Sequence, residues 1–197
     1  MSSSEITPIP WSDGQWNNEP AAVALEGDDL LVTAVESSDA WRLTSYGFIH
    51  DTEHALLAPF SPGSAIEVEY TARFSEQFDQ AGLFISASPE KWVKAGTEFA
   101  DGLLSAGAVV TDNYSDWSLS PALDWLNQRV LIRASWADDA ITLRGGIVGQ
   151  PLRLLRVFPF AASDTVKAGP MICAPTRAGL TVPFHAWRIT PADKSLH

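Results

Sequence analysis

"DQAGLFISASPEKWVKAGTEFADG", Asp79–Gly102, holds two runs of alternating apolar and polar residues joined by the turn-rich segment "SASPEK". Successive side chains of a strand point to opposite faces of a sheet, so each run divides into two sets. In the second run Val93, Ala95, Thr97 and Phe99 form the set assigned to a core, and Trp92, Lys94, Gly96 and Glu98 form the other. In the first, Ala81, Leu83 and Ile85 face the core while Gln80, Gly82 and Phe84 share the opposite side. A hairpin brings Gln80 close to Glu98 and Lys94 across the ladder, and small Gly82 and Gly96 leave room beside them. One buried face and one polar face is the mark of an antiparallel sheet.

The same pattern recurs outward along the chain in "LLVTAVES", "WRLTSYGF", "AIEVEYTARF", "LLSAGAVVTD", "RVLIRASWA", "LRLLRVFPF", "TVKAGPMICA" and "TVPFHAWRIT", separated by breaks such as "SPGS" and "WADDA". Many short strands with turn residues between them predict an all-β sandwich of two stacked antiparallel sheets. The length of 197 residues and 46% hydrophobic content suit one substantial core, hence a single domain over 1–197, with 1–10 and 191–197 as peripheral tails.

A net charge of −11 disfavours nucleic-acid backbones and anionic membrane surfaces as partners. The lone cysteine, Cys173 in the apolar "PMICAP", permits no internal disulfide and reads as a buried structural thiol. With no basic-plus-apolar leader and no long apolar run, the expected location is the cytoplasm.

An aromatic, a cation, a carboxylate and an amide on one surface are the ingredients of sugar recognition, where a pyranose face lies on an indole and its hydroxyls meet fixed donors and acceptors. Trp92 is the expected platform, Gln80 and Glu98 the hydroxyl partners, and Lys94 part of a polar clamp. In "VLIRASW" the alternation sets Arg133 with Leu131 and Ser135, so Arg133 joins the candidates for the same outward face. A solvated polar face decorated with Lys and Glu pairs is the plainer alternative.

The ordered motifs "WNNEP", "DAWRLTSYGF", "DQAGL", "KWVKAGTE", "SDWS" and "GPMICAPTRAGLTVPF" resemble a regulation-of-enolase-like family of unknown function within the concanavalin A-like lectin/glucanase superfamily. The resemblance covers nearly the whole chain and implies a jelly-roll sandwich with one concave, ligand-binding sheet. It implies no established reaction, and as a partner it points to a metabolic enzyme. By motif it nominates Asp79 and Gln80, then Trp92, Lys94 and Glu98, then Asp116, Trp117 and Ser118.

Glycoside hydrolysis needs two carboxylates about 5–5.5 Å apart for retention or about 6.5–9.5 Å for inversion. Glu67 and Glu69 in "EVEYT" share one strand face at roughly 6.5–7 Å by strand rise, but the glucanase pattern E-x-D-x-x-E is incomplete. Lys94 beside Glu98 is expected to lower the Glu98 pKa and work against a general acid. "HDTEH" (His50, His54) and "TDNYSD" (Asp112–Asp116) read as loops rather than metal sites. The expected function is therefore binding of a saccharide or another small polar metabolite without catalysis or cofactor. A regulatory protein-interaction domain is the alternative, and a glycoside hydrolase the third reading.

Overall fold

Ile66, Val68 and Tyr70 alternate with Glu67 and Glu69 along one strand, and the apolar members are fully enclosed, each at 0% exposure. That arrangement repeats throughout the computed structural model, which describes residues 6–161 and 165–195. In chain order the strands are β1 (Thr7–Pro8), β2 (Gln15–Trp16), β3 (Ala22–Glu26), β4 (Asp29–Thr33), β5 (Ala40–Arg42), β6 (Ile49–Asp51), β7 (His54–Pro59) and β8 (Ser64–Thr71). They continue as β9 (Asp79–Ser88), β10 (Lys91–Ala100), β11 (Leu103–Asp112), β12 (Tyr114–Pro121), β13 (Arg129–Ala137), β14 (Ala140–Ile147), β15 (Arg153–Pro159), β16 (Lys167–Cys173) and β17 (Thr181–Pro191).

One sheet runs β15-β14-β13-β8-β17-β4-β3 with β1 on β17; the other runs β12-β11-β10-β9-β16-β7-β2. The chain crosses between them at β1–β2–β3, between β4 and β7, at β7–β8–β9, at β12–β13 and at β15–β16–β17, which gives an all-β jelly-roll sandwich of two antiparallel sheets. Strands β5 and β6 form a separate small hairpin.

The core lies between the sheets. Ala81, Leu83 and Ile85 of β9 and Val93 and Ala95 of β10 meet Ile66, Val68, Ile132 and Trp187 from the opposite layer. Each fully buried large side chain contributes about 1.5–3 kcal/mol. Tyr70 spans this core, its hydroxyl 2.8 Å from Thr97 Oγ1, so the one hydroxyl that β10 turns inward is satisfied.

Two expectations are corrected. "WRLTSYGF" is not one strand: it holds the end of β5 and a tight turn in which Leu43, Ser45 and Gly47 take left-handed backbone conformations, and β6 begins only at Ile49. "TDNYSD", expected as a loop, is a tight reversal at Asn113 (φ 61°) between β11, ending at Asp112, and β12, beginning at Tyr114. Beyond β17, Arg133 Nη2 donates to Asp193 Oδ1 at 2.8 Å, and Arg144 also pairs with Asp193.

Candidate functional site

The outer face of the seven-stranded sheet carries a row in register across β9, β10 and β11: Gln80 opposite Glu98 opposite Ser105, with Gly82, Gly96 and Gly107 as the neighbouring row. A Cβ on any of these three glycines would run into a backbone carbonyl oxygen of the adjoining strand. The row is therefore a side-chain-free trough, and Gly107 extends it beyond the pair legible from the hairpin alone.

Above this row the β5–β6 hairpin and its turn fold over the sheet. Trp41, packed over Phe84, Trp92, Val109, Met171 and Cys173, seals a second apolar cluster there. Phe84 and Trp92 stack with centroids 5.5 Å apart, and Trp92 is only 6% exposed. Trp92 is thus on the expected face but beneath its cover, where it supports the site and presents no open platform.

The open aromatic walls are others. Trp41 and Trp117 stand nearly perpendicular, at 88° with centroids 6.2 Å apart, and Tyr46 and Phe48 stack beside them. Phe78 completes the rim; its φ of 65° is costly for a residue with a Cβ, and its N–H donation to the Phe99 carbonyl at 2.6 Å holds it. Together with Asp39, His50, Gln80, Lys94 and Glu98 these residues enclose a pocket of about 400 Å³. That volume falls in the range of small-molecule sites, roughly 300–1,000 Å³.

The floor is polar and enclosed. Lys94 Nζ donates to Asp39 Oδ1 at 2.7 Å and to Gln80 Oε1 at 2.9 Å. Burial alone would lower the Lys94 pKa, and the acidic groups around it, Asp39 foremost with Cys173 and Glu98, together more than offset this. Burial raises the Glu98 carboxyl despite nearby Lys94, the reverse of what charge pairing alone predicts. Glu98 Oε1 is buried with no hydrogen-bond partner. Cys173 is buried at the base, and burial pushes its thiol well up, as suits a structural cysteine.

Behind the floor, "WNNEP" clamps "HDTEH". Asn17 Nδ2 donates to Glu53 Oε1 at 2.6 Å, and Asn18 Nδ2 donates to the Glu53 carbonyl at 2.9 Å. Burial raises the Glu53 carboxyl to about 7. His54 is also buried and accepts the Val35 N–H through Nε2, so the two histidines of this motif serve different places, His50 alone lining the pocket.

A family model described as "Protein of unknown function (DUF1349)" matches residues 16–192. The chain belongs to this family. A relative, "Regulation of enolase protein 1" of Saccharomyces cerevisiae, is 34% identical over 195 residues, covering 94% of each chain. An uncharacterised protein of Emericella nidulans is 30% identical over 147 residues, 70% of this chain and 73% of that one. A crystal structure of a functionally unknown S. cerevisiae protein superposes with TM-score 0.87 at 30% identity, covering 94% of this chain and all (100%) of that one. A xylan β-1,4-xylosidase from Bacillus halodurans matches with TM-score 0.69 at 13% identity over 96% of this chain and 40% of its own, a likeness of fold.

On this DUF1349 sandwich the motif residues separate. Gln80, Lys94 and Glu98 come together on the floor and Trp117 stands in the wall. Asp79, one residue out of phase with Gln80, points to the other side of β9, where Arg177 binds it at 2.7 Å and the Ser75 and Glu76 N–H groups donate to it. Asp116, out of phase with Trp117, pairs with Arg156 at 2.7 Å. Arg133 does face outward, but from the other sheet, held by Glu67 at 2.6 Å and by Asp193. Glu67 and Glu69, the nearest pair to a glucanase motif, lie on that same distant face and are bound by Arg133, Arg188 and Arg129.

The residues that sequence reasoning missed are Asp39, Tyr46, Phe48 and Phe78. The first three lie in the motif "DAWRLTSYGF", whose expected strand is mostly a turn, and Phe78 precedes β9, so strand parity could not place them.

Proposed function

We propose that this chain is a non-catalytic binding protein for a saccharide, held on the outer face of the seven-stranded sheet, the face expected to be concave. The observation that carries the reading is the perpendicular Trp41–Trp117 corner standing over the enclosed polar row of Gln80, Lys94 and Glu98. Indole faces cover the apolar side of a sugar ring, and the row offers hydroxyl partners at fixed positions. The glycine trough beside it supports an extended, oligomeric ligand by leaving bare backbone in its path. Binding without turnover is favoured because Asp39, one of the two floor carboxylates, is committed to Lys94 as its counter-ion.

The test is isothermal titration calorimetry of the protein against mono- and oligosaccharides, with Trp117→Ala and Gln80→Ala alongside. Trp117 is 47% exposed, so its removal leaves the fold intact. Both variants should weaken binding by at least about tenfold. Sugars that bind the wild type and both variants equally would move the site elsewhere, and the absence of any binding would remove the reading.

The second reading, a regulator of a metabolic enzyme, is carried by the name of the 34% identical yeast relative. Edge strand β3 supports it with Val23 and Leu25 exposed at 45% and 66%, far from the pocket in strand order. A Leu25→Asp variant that loses co-purification with enolase while keeping sugar affinity would favour this reading.

A further inference from the structure

We infer that the saccharide this pocket takes carries a free ammonium group: an amino sugar, in preference to a neutral, acidic or phosphorylated one. The inference rests on the saccharide reading above and comes from the charge left over on the floor. Among the described residues lining the pocket, Lys94 is the one lysine or arginine, and it faces two carboxylates, Asp39 and Glu98. Two of its three N–H donors are committed, one to Asp39 and one to Gln80. Asp39 is its hydrogen-bonded counter-ion, and Glu98 is left without a counter-charge of its own, which is why burial raises its carboxyl.

Glu98 is enclosed, 8% exposed, and its Oε1 has no partner on the protein. A buried acceptor without a donor is costly, and an ionised one more so. The ligands divide on how they answer it. A neutral sugar hydroxyl supplies the hydrogen bond but not the counter-charge. A phosphate or uronate brings a negative charge and no donor to Glu98, and finds Lys94 already paired. An ammonium supplies both the bond and the charge, and hydrogen bonds between ions are roughly twice as strong as neutral ones.

The walls point the same way. Trp41 and Trp117, perpendicular at 88°, both line the pocket, and indole is the aromatic group that best attracts a cation. A glycosyl ammonium uses both properties at once, its ring against one indole and its charge near both. The net charge of −11 also draws cations toward the molecule from a distance.

The test measures affinities of the wild type for glucosamine trisaccharide, its N-acetylated counterpart, cellotriose and glucose 6-phosphate, and repeats the set on Glu98→Gln. The free-amine trisaccharide should bind at least about tenfold tighter than the acetylated or neutral one, with no measurable binding of the phosphate. Glu98→Gln should bring the amine and neutral sugars to within about threefold of each other, mainly by loss of amine affinity. The wild-type comparison decides the matter whatever the stability of the variant. Equal binding of neutral and amino sugars, or a preference that survives Glu98→Gln, overturns this inference and leaves saccharide binding standing. Failure of every sugar to bind overturns both.

Discussion

Lys94 and Asp39 come together at 2.7 Å from segments 55 residues apart, and this pair joins the covering loop to the sheet beneath it. The Lys94 side chain is 7% exposed and that of Asp39 23%. Removing one partner of such a pair strands the other charge in the interior, typically at about 3–5 kcal/mol. Asp39→Asn should therefore lose about 3 kcal/mol in urea denaturation, and Asp39→Asn combined with Lys94→Met should recover a large part of it. Additive losses in the double variant would show that the pair does not fasten the loop.

Trp92 and Trp117 are a second contrast, since both are tryptophans on the same sheet face. Trp92 is stacked on Phe84 under Trp41, whereas Trp117 is 47% exposed. Trp92→Ala should cost about 3–5 kcal/mol in chemical denaturation, the usual range for a buried aromatic, and Trp117→Ala under about 1 kcal/mol. Reversal of that order would mean that the hairpin does not cover Trp92.

These contrasts explain what was legible in the sequence. The parity of β9 and β10 was readable because a strand's period of two is a local property, and Gln80, Lys94 and Glu98 lie together as that parity requires. Parity cannot say which of two sheets a strand joins, and Arg133, outward-facing as expected, lies on the wrong one. Nor can it say what covers a face: Trp92 has the expected orientation and is buried by a loop about fifty residues earlier in the chain. Asp79 and Asp116 were nominated by motif, and each sits one residue out of phase with the neighbour that reaches the pocket. Asp39, Tyr46 and Phe48 belong to that covering loop: the motif "DAWRLTSYGF" marked the segment, but its placement over the sheet depends on tertiary contacts that a strand reading cannot give.

The glycine row gives a third prediction. A strand glycine ordinarily gains from replacement by alanine, which has less chain entropy to lose. At Gly96 the added Cβ would meet the Ala81 carbonyl oxygen and Gly82 Cα, both backbone and neither able to rotate away. Gly96→Ala should thus destabilise by at least about 2 kcal/mol. Gly146→Ala, whose nearest neighbour is a leucine methyl at 3.2 Å, should cost markedly less in the same denaturation series.

Glu53 makes the stability depend on pH in a direction opposite to most carboxylates. Its folded-state pKa is raised by burial from 4.5 to about 7, so between those values the folded state holds a proton that the unfolded state has released. Stability then falls as pH rises through this window, by up to about 3 kcal/mol from this group at 1.36 kcal/mol per unit. His54, whose pKa burial lowers from 6.5, works the other way, removing stability as pH falls below its unfolded value. The difference between wild type and Glu53→Gln therefore isolates the glutamate, because both proteins keep the histidine. Glutamine accepts the same Asn17 N–H without a charge to desolvate, so Glu53→Gln should match the wild type near pH 5 and exceed it near pH 8. Melting curves recorded across that range would show the gap opening with pH, and a constant gap would mean that Glu53 stays ionised in the fold.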